Sequence, residues 1–436
     1  MVKIAKSCDS DFRQFLNDLM AVTSKAEMHP DVVNDASKIC VDVMKRGDEA
    51  ILEYTNKFDA VGANSVGELK VTEEEIEQAC KEVSSEVMSA LKNAAQRIED
   101  YHKKQMPQDI DYYDGMGVRL GNLWKPIKNV GIYVPGGLAS YPSSVLMNAV
   151  PAKVAGVSNI VMVVPAPQGK LSPTVLAAAK VAGVKQIYKI GGAQAIAALA
   201  TGSGIVPRVD IIVGPGNAYV AAAKRYFSGY VGIDMIAGPS EILVVADNKN
   251  NPDWIAADLL SQAEHDENAR SILITDDEDF ANEVIKSVDK TISLLERSDI
   301  SRKSWEQNGA VIIAGNLDEQ AVELIDWIAP EHLELAIEDD HANSIVGQIS
   351  NSGAVFIGRY TPEAIGDYMA GPSHVLPTAG TARFSSGLSV FDFLKRISLI
   401  GCTKESFGKL ASSTTCLADE EGLGAHALSV RIRENG

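Results

Sequence analysis

The sequence predicts an α/β protein built from two parallel-sheet units, with a short N-terminal arm and a C-terminal tail. Three observations carry that prediction. From about residue 130 onwards, short apolar runs alternate with stretches of helical spacing. Run after run ends in Gly or Pro just before the next helix. The alternation then restarts beyond Gly238-Pro239 with no Gly/Ser-rich linker between. Alternation of this kind favours parallel pairing through right-handed crossovers. At 436 residues the chain is also too long for one simple core.

Taken in order, residues 1–27 read as an arm that is helical around 11–20, and 31–55 and 72–104 read as amphipathic helices. Glu73, Glu74, Glu75 and Glu77 crowd the start of the latter, where the helix dipole favours acids. Strands follow at 131–134, 160–164, 187–190 and 211–213, with helices at 145–150, 175–181, 193–200 and 219–226. The second unit has strands at 242–245, 272–274, 311–314 and 354–357. Its helices are 253–262, 280–295 and one opened by Asn316, which with Glu319 has the spacing of a capping box. The units thus span roughly 133–239 and 240–388. In such sheets the loops at the carboxyl ends of the strands line the ligand crevice.

Composition narrows the partners. Hydrophobic residues make up 46% and charged residues 22%, as in ordinary globular chains. A net charge of -18 without any Lys/Arg-rich run disfavours nucleic acid and anionic membrane surfaces. No apolar run approaches the roughly 20 residues that span a bilayer. Five scattered cysteines without a CxxC fit free thiols in a reducing cytoplasm.

Five stretches hold residue types suited to chemistry. In Asp326-Trp327-Ile328-Ala329-Pro330-Glu331-His332 a helix runs into a proline and an adjacent Glu–His pair follows. Alone, that pair is a solvated turn or a pair of proton carriers. Gly214-Pro215-Gly216-Asn217 lies after a strand and before a helix, so it is a tight turn or a phosphate cradle. Asp234 stands near the offset of a ribose-binding acid. Gln262 and His265 share a helix face beside Glu264 and Asp266, which is a polar helix end or part of a metal site. Gly366-Asp367…His374 and Glu421-Gly422…His426 each set a carboxylate and a histidine among glycines, the second before a short expected strand at 428–432. Four of the seven histidines therefore sit in glycine- or proline-framed loops or at helix ends.

Together these motifs resemble the histidinol dehydrogenase family over nearly the whole chain. The matching stretches are Tyr133-Val134-Pro135-Gly136-Gly137, Gly191-Gly192-Ala193-Gln194-Ala195, Gly214-Pro215-Gly216-Asn217, Ala237-Gly238-Pro239-Ser240-Glu241, Gln262-Ala263-Glu264-His265-Asp266, Ala329-Pro330-Glu331-His332-Leu333, Gly366-Asp367-Tyr368, and Glu421-Gly422 with Ala425-His426. The resemblance implies two Rossmann-like parallel-sheet domains. Its expected divisions are a helical arm at 1–27, a discontinuous zinc and substrate domain at 28–132 and 240–388, an NAD-side domain at 133–239, and a dimerisation segment at 389–436. It implies oxidation of L-histidinol to L-histidine through the aldehyde with two NAD. Gln262, His265, Asp367 and His426 are the implied zinc ligands, the last from the partner chain of a homodimer. Tyr133, Gln194 and Asn217 are the implied NAD contacts. Ser240, His332, His374 and Glu421 are implied substrate contacts, together with the ligands. His332 and Glu331 are the implied base and water activator.

Relatives on the same scaffold oxidise other small diols such as sulfopropanediol, so the resemblance supports the reaction class more firmly than the substrate. A zinc hydrolase using Glu331 would need no glycine-rich nucleotide crevice, and a non-catalytic binding protein would need no proton-transfer residues.

Overall fold

The computed structural model describes residues 2–26, 29–136 and 141–434. Gly137, the last residue of the first glycine motif, lies outside them. Two all-parallel sheets dominate. One has the strand order Gln186–Tyr188, Asn159–Val163, Asn129–Tyr133, Ile211–Val213, Gly232–Ile233. The other has six strands, in the order Lys3–Lys6, Ala310–Ile313, Arg270–Thr275, Glu241–Ala246, His332–Ala336, Ala354–Ile357. Every residue of Glu241–Ala246, Arg270–Thr275 and His332–Ala336 is buried. Burial along their whole length marks strands covered on both faces.

Both sheets reverse their strand order in the middle. In the first sheet the chain steps outward from Asn129–Tyr133 through two strands, then returns to add Ile211–Val213 on the other side. In the second it steps outward from Glu241–Ala246 and returns with His332–Ala336. Each reversal leaves a crevice where neighbouring connections diverge.

The structure differs from the sequence reading in several places. The arm is not helix alone: Lys3–Lys6 pairs with Ala310–Ile313 as the edge of the six-stranded sheet, ahead of the helix Phe12–Ala26. The helices of residues 30–105, expected to join the 240–388 unit, pack instead on the five-stranded sheet. Ala36, Ile39 and Val43 share a core with Tyr133, Ile196 and Phe227, and Leu91 and Ile98 share one with Val145 and Leu146. The reason is that their apolar faces have no strand of their own and help to cover the two faces of that sheet. Residues 428–432 are not a strand but part of the helix Gly424–Glu434. A three-stranded antiparallel sheet, Leu394–Gly401 with Arg119–Pro126 and Ile110–Tyr113, was not foreseen. Its strands pair residues nearly three hundred apart in sequence, such as Arg119 with Gly401.

The helix Leu317–Ile328 follows the expected spacing and buries Leu317, Ala321, Leu324, Ile325 and Ile328. Asn316 caps it through the N–H of Asp318, not through a reciprocal bond with Glu319. Ala329 ends it in the left-handed region at φ 51°, and the chain turns at once into the strand His332–Ala336. Gly353 locks that turn: its N–H donates to Pro330 O at 2.9 Å, and a Cβ on it would stand 2.5 Å from Glu331 O. We expect Gly353→Ala to lower the urea midpoint by an amount equivalent to about 1–3 kcal/mol. Turnover should fall as well, because the displaced backbone carries Glu331. Unchanged unfolding and activity would contradict this account.

Candidate active site

The Glu331–His332 pair is neither a turn nor solvated. Glu331 is 6% exposed and His332 is 4% exposed. Both sit at the reversal of the six-stranded sheet, where His332 lies beside Ile242 in register. One residue holds both. The N–H of Glu241 donates to Glu331 Oε2 at 2.8 Å, and the carbonyl of Glu241 lies 2.9 Å from His332 Nδ1. A carbonyl only accepts, so Nδ1 carries the proton and Nε2 of the neutral ring presents a lone pair. Burial pushes the His332 pKa down, with the Asp367 charge opposing, which keeps the ring neutral. Burial pushes Glu331 well above the carboxylate range, against the hydrogen bond from Glu241. Across to the neighbouring strand, Glu241 pairs with Arg270 at 3.6 Å, both side chains 3% exposed.

Two helix ends bring the other groups to this point. The helix Pro252–Ala263, capped by Asn251 as its sequence suggests, places Gln262 in its last turn with His265 just beyond. The helix Glu363–Tyr368 carries Asp367. His332, Glu363 and Asp367 offer ligand atoms within 4.8 Å of one another. His332 Nε2 is 3.6 Å from Glu363 Oε1, and His374 Nδ1 is 3.6 Å from Asp367. Burial opposes ionisation of Asp367, yet its bond with His374 and the charge of that imidazole lead the interactions that hold it at about 2. Glu363 is pushed up to about 8 by burial and by the neighbouring Asp367 carboxylate. Glu363 was missed in the sequence. Its signal is the helical i, i+4 spacing to Asp367.

This nest is unfinished as a hydrogen-bonded structure. Both amide atoms of Gln262, Nε2 of His332 and Oε1 of Glu363 are buried without a partner. Such groups are costly unless a ligand completes them. Acids also dominate it: Glu331, Glu334, Glu363 and Asp367 gather within one buried region. An acid-rich nest with imidazole and amide donors fits a divalent cation. The nest lies at the amino ends of its strands, not the carboxyl ends, because helix Pro252–Ala263 and helix Leu317–Ile328 each deliver their groups before a strand begins.

The remaining expected residues divide. Ser240 adjoins the nest through Glu241 and accepts the N–H of Arg270 at 2.9 Å. Glu421 and His426 lie exposed on the helices' junction near the C-terminus, and no hydrogen bond or ion pair among the described residues joins their side chains to the nest. Tyr133, Gln194 and Asn217 gather at the carboxyl edge of the five-stranded sheet. The Tyr133 hydroxyl accepts the N–H of Gly192 at 3.2 Å, and its pKa is raised to about 12 by burial. Gln194 Oε1 is buried without a partner. Asn217 caps the helix Ala218–Phe227 through the N–H groups of Tyr219 and Val220. Asp234 is not available to a ribose, because Lys224 and the N–H of Gly214 occupy its two oxygens. The loop after Asp367 joins the two halves: Ser373 donates to Met147 O at 3.2 Å, and Val375, Leu388 and Phe393 enter the core of the five-stranded unit.

A nest of proton-handling groups at one sheet reversal and glycine turns at the other are the parts of an α/β enzyme. Comparison with known proteins supplies the family. The family model "Histidinol dehydrogenase" matches residues 22–434. A histidinol dehydrogenase of Rhodospirillum rubrum is 54% identical over 430 residues, 99% of this chain and 98% of the relative. One of Brucella melitensis is 53% identical over 435 residues, covering all of both chains. The crystal structure of histidinol dehydrogenase from Elizabethkingia anophelis superposes with a TM-score of 0.92 at 35% identity, over 100% of this chain and 98% of that one. The chain belongs to the histidinol dehydrogenase family.

Two outcomes follow, both for stability measured in the presence of a chelator. Replacing Gln262 by Met removes two unpaired buried polar atoms at similar volume. In the chelator we expect Gln262→Met to raise the thermal midpoint by the equivalent of about 1 kcal/mol or more, and in its absence to lower activity. A lowered midpoint would show that the amide is satisfied. Glu363 binds its proton more tightly folded than unfolded, so its penalty on stability is absent below pH 4.5 and grows up to about 8. Stability of Glu363→Gln relative to the parent should therefore rise across that window in denaturant titrations, and a flat difference would refute the assignment.

Proposed function

We propose that the protein oxidises L-histidinol to L-histidine through L-histidinal, with two NAD and a zinc ion, as the closing step of histidine biosynthesis in the cytoplasm. The observation that supports this most is the orphaned, acid-rich nest around His332 in a chain of this family. Among the described residues no helix is long and apolar enough to cross a membrane.

Gln262, His265 and Asp367 would hold the zinc from this chain, with His426 of the partner subunit completing the set. The exposed C-terminal helices, with Leu417 66% and Leu428 57% exposed, suit such a homodimer, and Glu421 travels with them. Bound there, zinc supplies an electrophilic anchor that orients the amino alcohol. Asp367, held ionised by His374, favours a cation. Ser240 and His374 flank the substrate. Tyr133, Gln194 and Asn217 place the NAD.

The chain's own groups then divide the proton work. Nε2 of His332 accepts the hydroxyl proton as hydride passes to NAD, and the bond from Nδ1 to the Glu241 carbonyl steadies the ring as it gains charge. Glu331, its other oxygen tied to Glu241, takes a proton from water attacking the aldehyde. His332, once it has released its first proton, would take a hydroxyl proton of the resulting hydrate, and NAD, when bound, would accept the second hydride. Protonation of His332 removes its lone pair, so turnover falls as pH drops through its pKa.

Reduced NAD followed by absorbance tests this. Signal with histidinol that vanishes on chelation is expected; signal only with another small diol would reassign the substrate. His332→Asn should lower kcat by about 10²-fold or more. Glu331→Gln should spare histidinol oxidation relative to conversion of the aldehyde to acid. Near-normal turnover in both variants would overturn the roles.

A further inference from the structure

The turn Gly214-Pro215-Gly216-Asn217 is tied down by a buried ion pair that the proposed chemistry does not use. Lys224 and Asp234 have side chains 2% and 1% exposed. Lys224 Nζ donates to Gly214 O at 2.6 Å and to Asp234 Oδ1 at 2.6 Å, and approaches Met235 O at 3.5 Å. The other Asp234 oxygen accepts the N–H of Gly214 at 2.7 Å. Both backbone polar groups of Gly214 are therefore held by one salt bridge. All three ammonium donors point at the turn or its return strand.

The rest of the turn is equally constrained. Gly214 adopts φ 104°, and a Cβ on it would meet Tyr133 O at 2.1 Å. A Cβ on Gly216 would lie 2.4 Å from Val220 Cγ1. Asn217 is spent on the helix cap. Lys224 stands on that same helix, so one end of Ala218–Phe227 is capped by the turn while its interior grips the turn's first residue. A buried ion pair is an expensive way to fill space, since apolar residues of similar volume are often at least as stable. Its distinctive product here is a fixed orientation of the Gly214 peptide beside Tyr133.

We propose that Lys224, through Asp234, is a positioning residue for the dinucleotide: it sets the shape of the turn that receives NAD without touching it. This rests on the assignment of Tyr133, Gln194 and Asn217 to NAD made above. Lys224 acts on the cofactor side alone, so the binding of the alcohol is independent of it.

Steady-state kinetics on the full-length enzyme test it. Lys224→Met should raise KM for NAD by about tenfold or more, the effect of one or two lost hydrogen bonds, with kcat and KM for histidinol nearly unchanged. It should also lower the thermal midpoint, because Asp234 is left buried and unpaired. The double variant Lys224→Met/Asp234→Leu removes both charges. It should regain much of that midpoint while KM for NAD stays raised, and it carries the test if the single variant does not fold. Recovery of KM for NAD together with the midpoint, or an unchanged KM for NAD in both variants, would reduce the pair to a stability element and overturn the proposal. A parent enzyme that reduces no NAD with any small alcohol would sink the functional reading and this proposal with it; a parent that does so isolates the question of Lys224.

Discussion

One backbone unit, that of Glu241, organises the site. Its N–H holds the Glu331 carboxylate and its carbonyl holds His332 Nδ1. Two neighbouring side chains with opposite proton habits are thus aligned by a strand edge, where neither bond depends on a flexible side chain. The carbonyl decides the tautomer of His332, and the tautomer leaves Nε2, the nitrogen that faces Glu363, without a proton. Strand pairing between Glu241–Ala246 and His332–Ala336 fixes the register of both bonds. A slip of one residue would turn His332 to the opposite face of the sheet.

The other side of the site follows from packing carboxyls where water is scarce. Burial raises Glu331, Glu334 and Glu363, while the bond with His374 holds Asp367 ionised against the same burial. The fold accepts that cost together with two unpaired amide atoms on Gln262. Costs of this kind gather at functional sites and are offset by well-packed structure elsewhere. Here the offset comes from two sheets whose central strands are buried on both faces. The turn at Gly214 shows the contrasting arrangement: its charges are fully paired, and the pairing makes it rigid.

The two sheet reversals use opposite strand ends. Tyr133, Gly192 and Gly214 stand at carboxyl ends, as expected for an open parallel sheet. Glu331 and His332 stand at amino ends. The general rule applied to both units would have looked for the second site on the wrong edge. Nothing in the pattern of residues 316–335 reveals this, because a helix–strand junction reads alike whichever edge carries the chemistry.

Much was nonetheless legible in the chain. The alternation of short apolar runs and helices determined two parallel sheets, because burial on both faces leaves continuous runs of Val, Ile and Leu. The helix that ends at Ala329, the cap at Asn251 and the shared face of Gln262 and His265 are local properties, written within a few residues. The ordered set of motifs determined the family. The tertiary structure alone decided the rest. It put the helices of 30–105 on the five-stranded sheet, added Lys3–Lys6 to the six-stranded one, and joined Arg119–Pro126 to Leu394–Gly401. It also brought in Glu363, turned Asp234 from a ribose candidate into a clamp on Gly214, and buried a Glu–His pair that alone resembles a solvated turn. Each of these rests on contacts between residues distant in sequence, or on desolvation. Neither is a property of a short stretch of chain, and both act only once the sheets have closed around it.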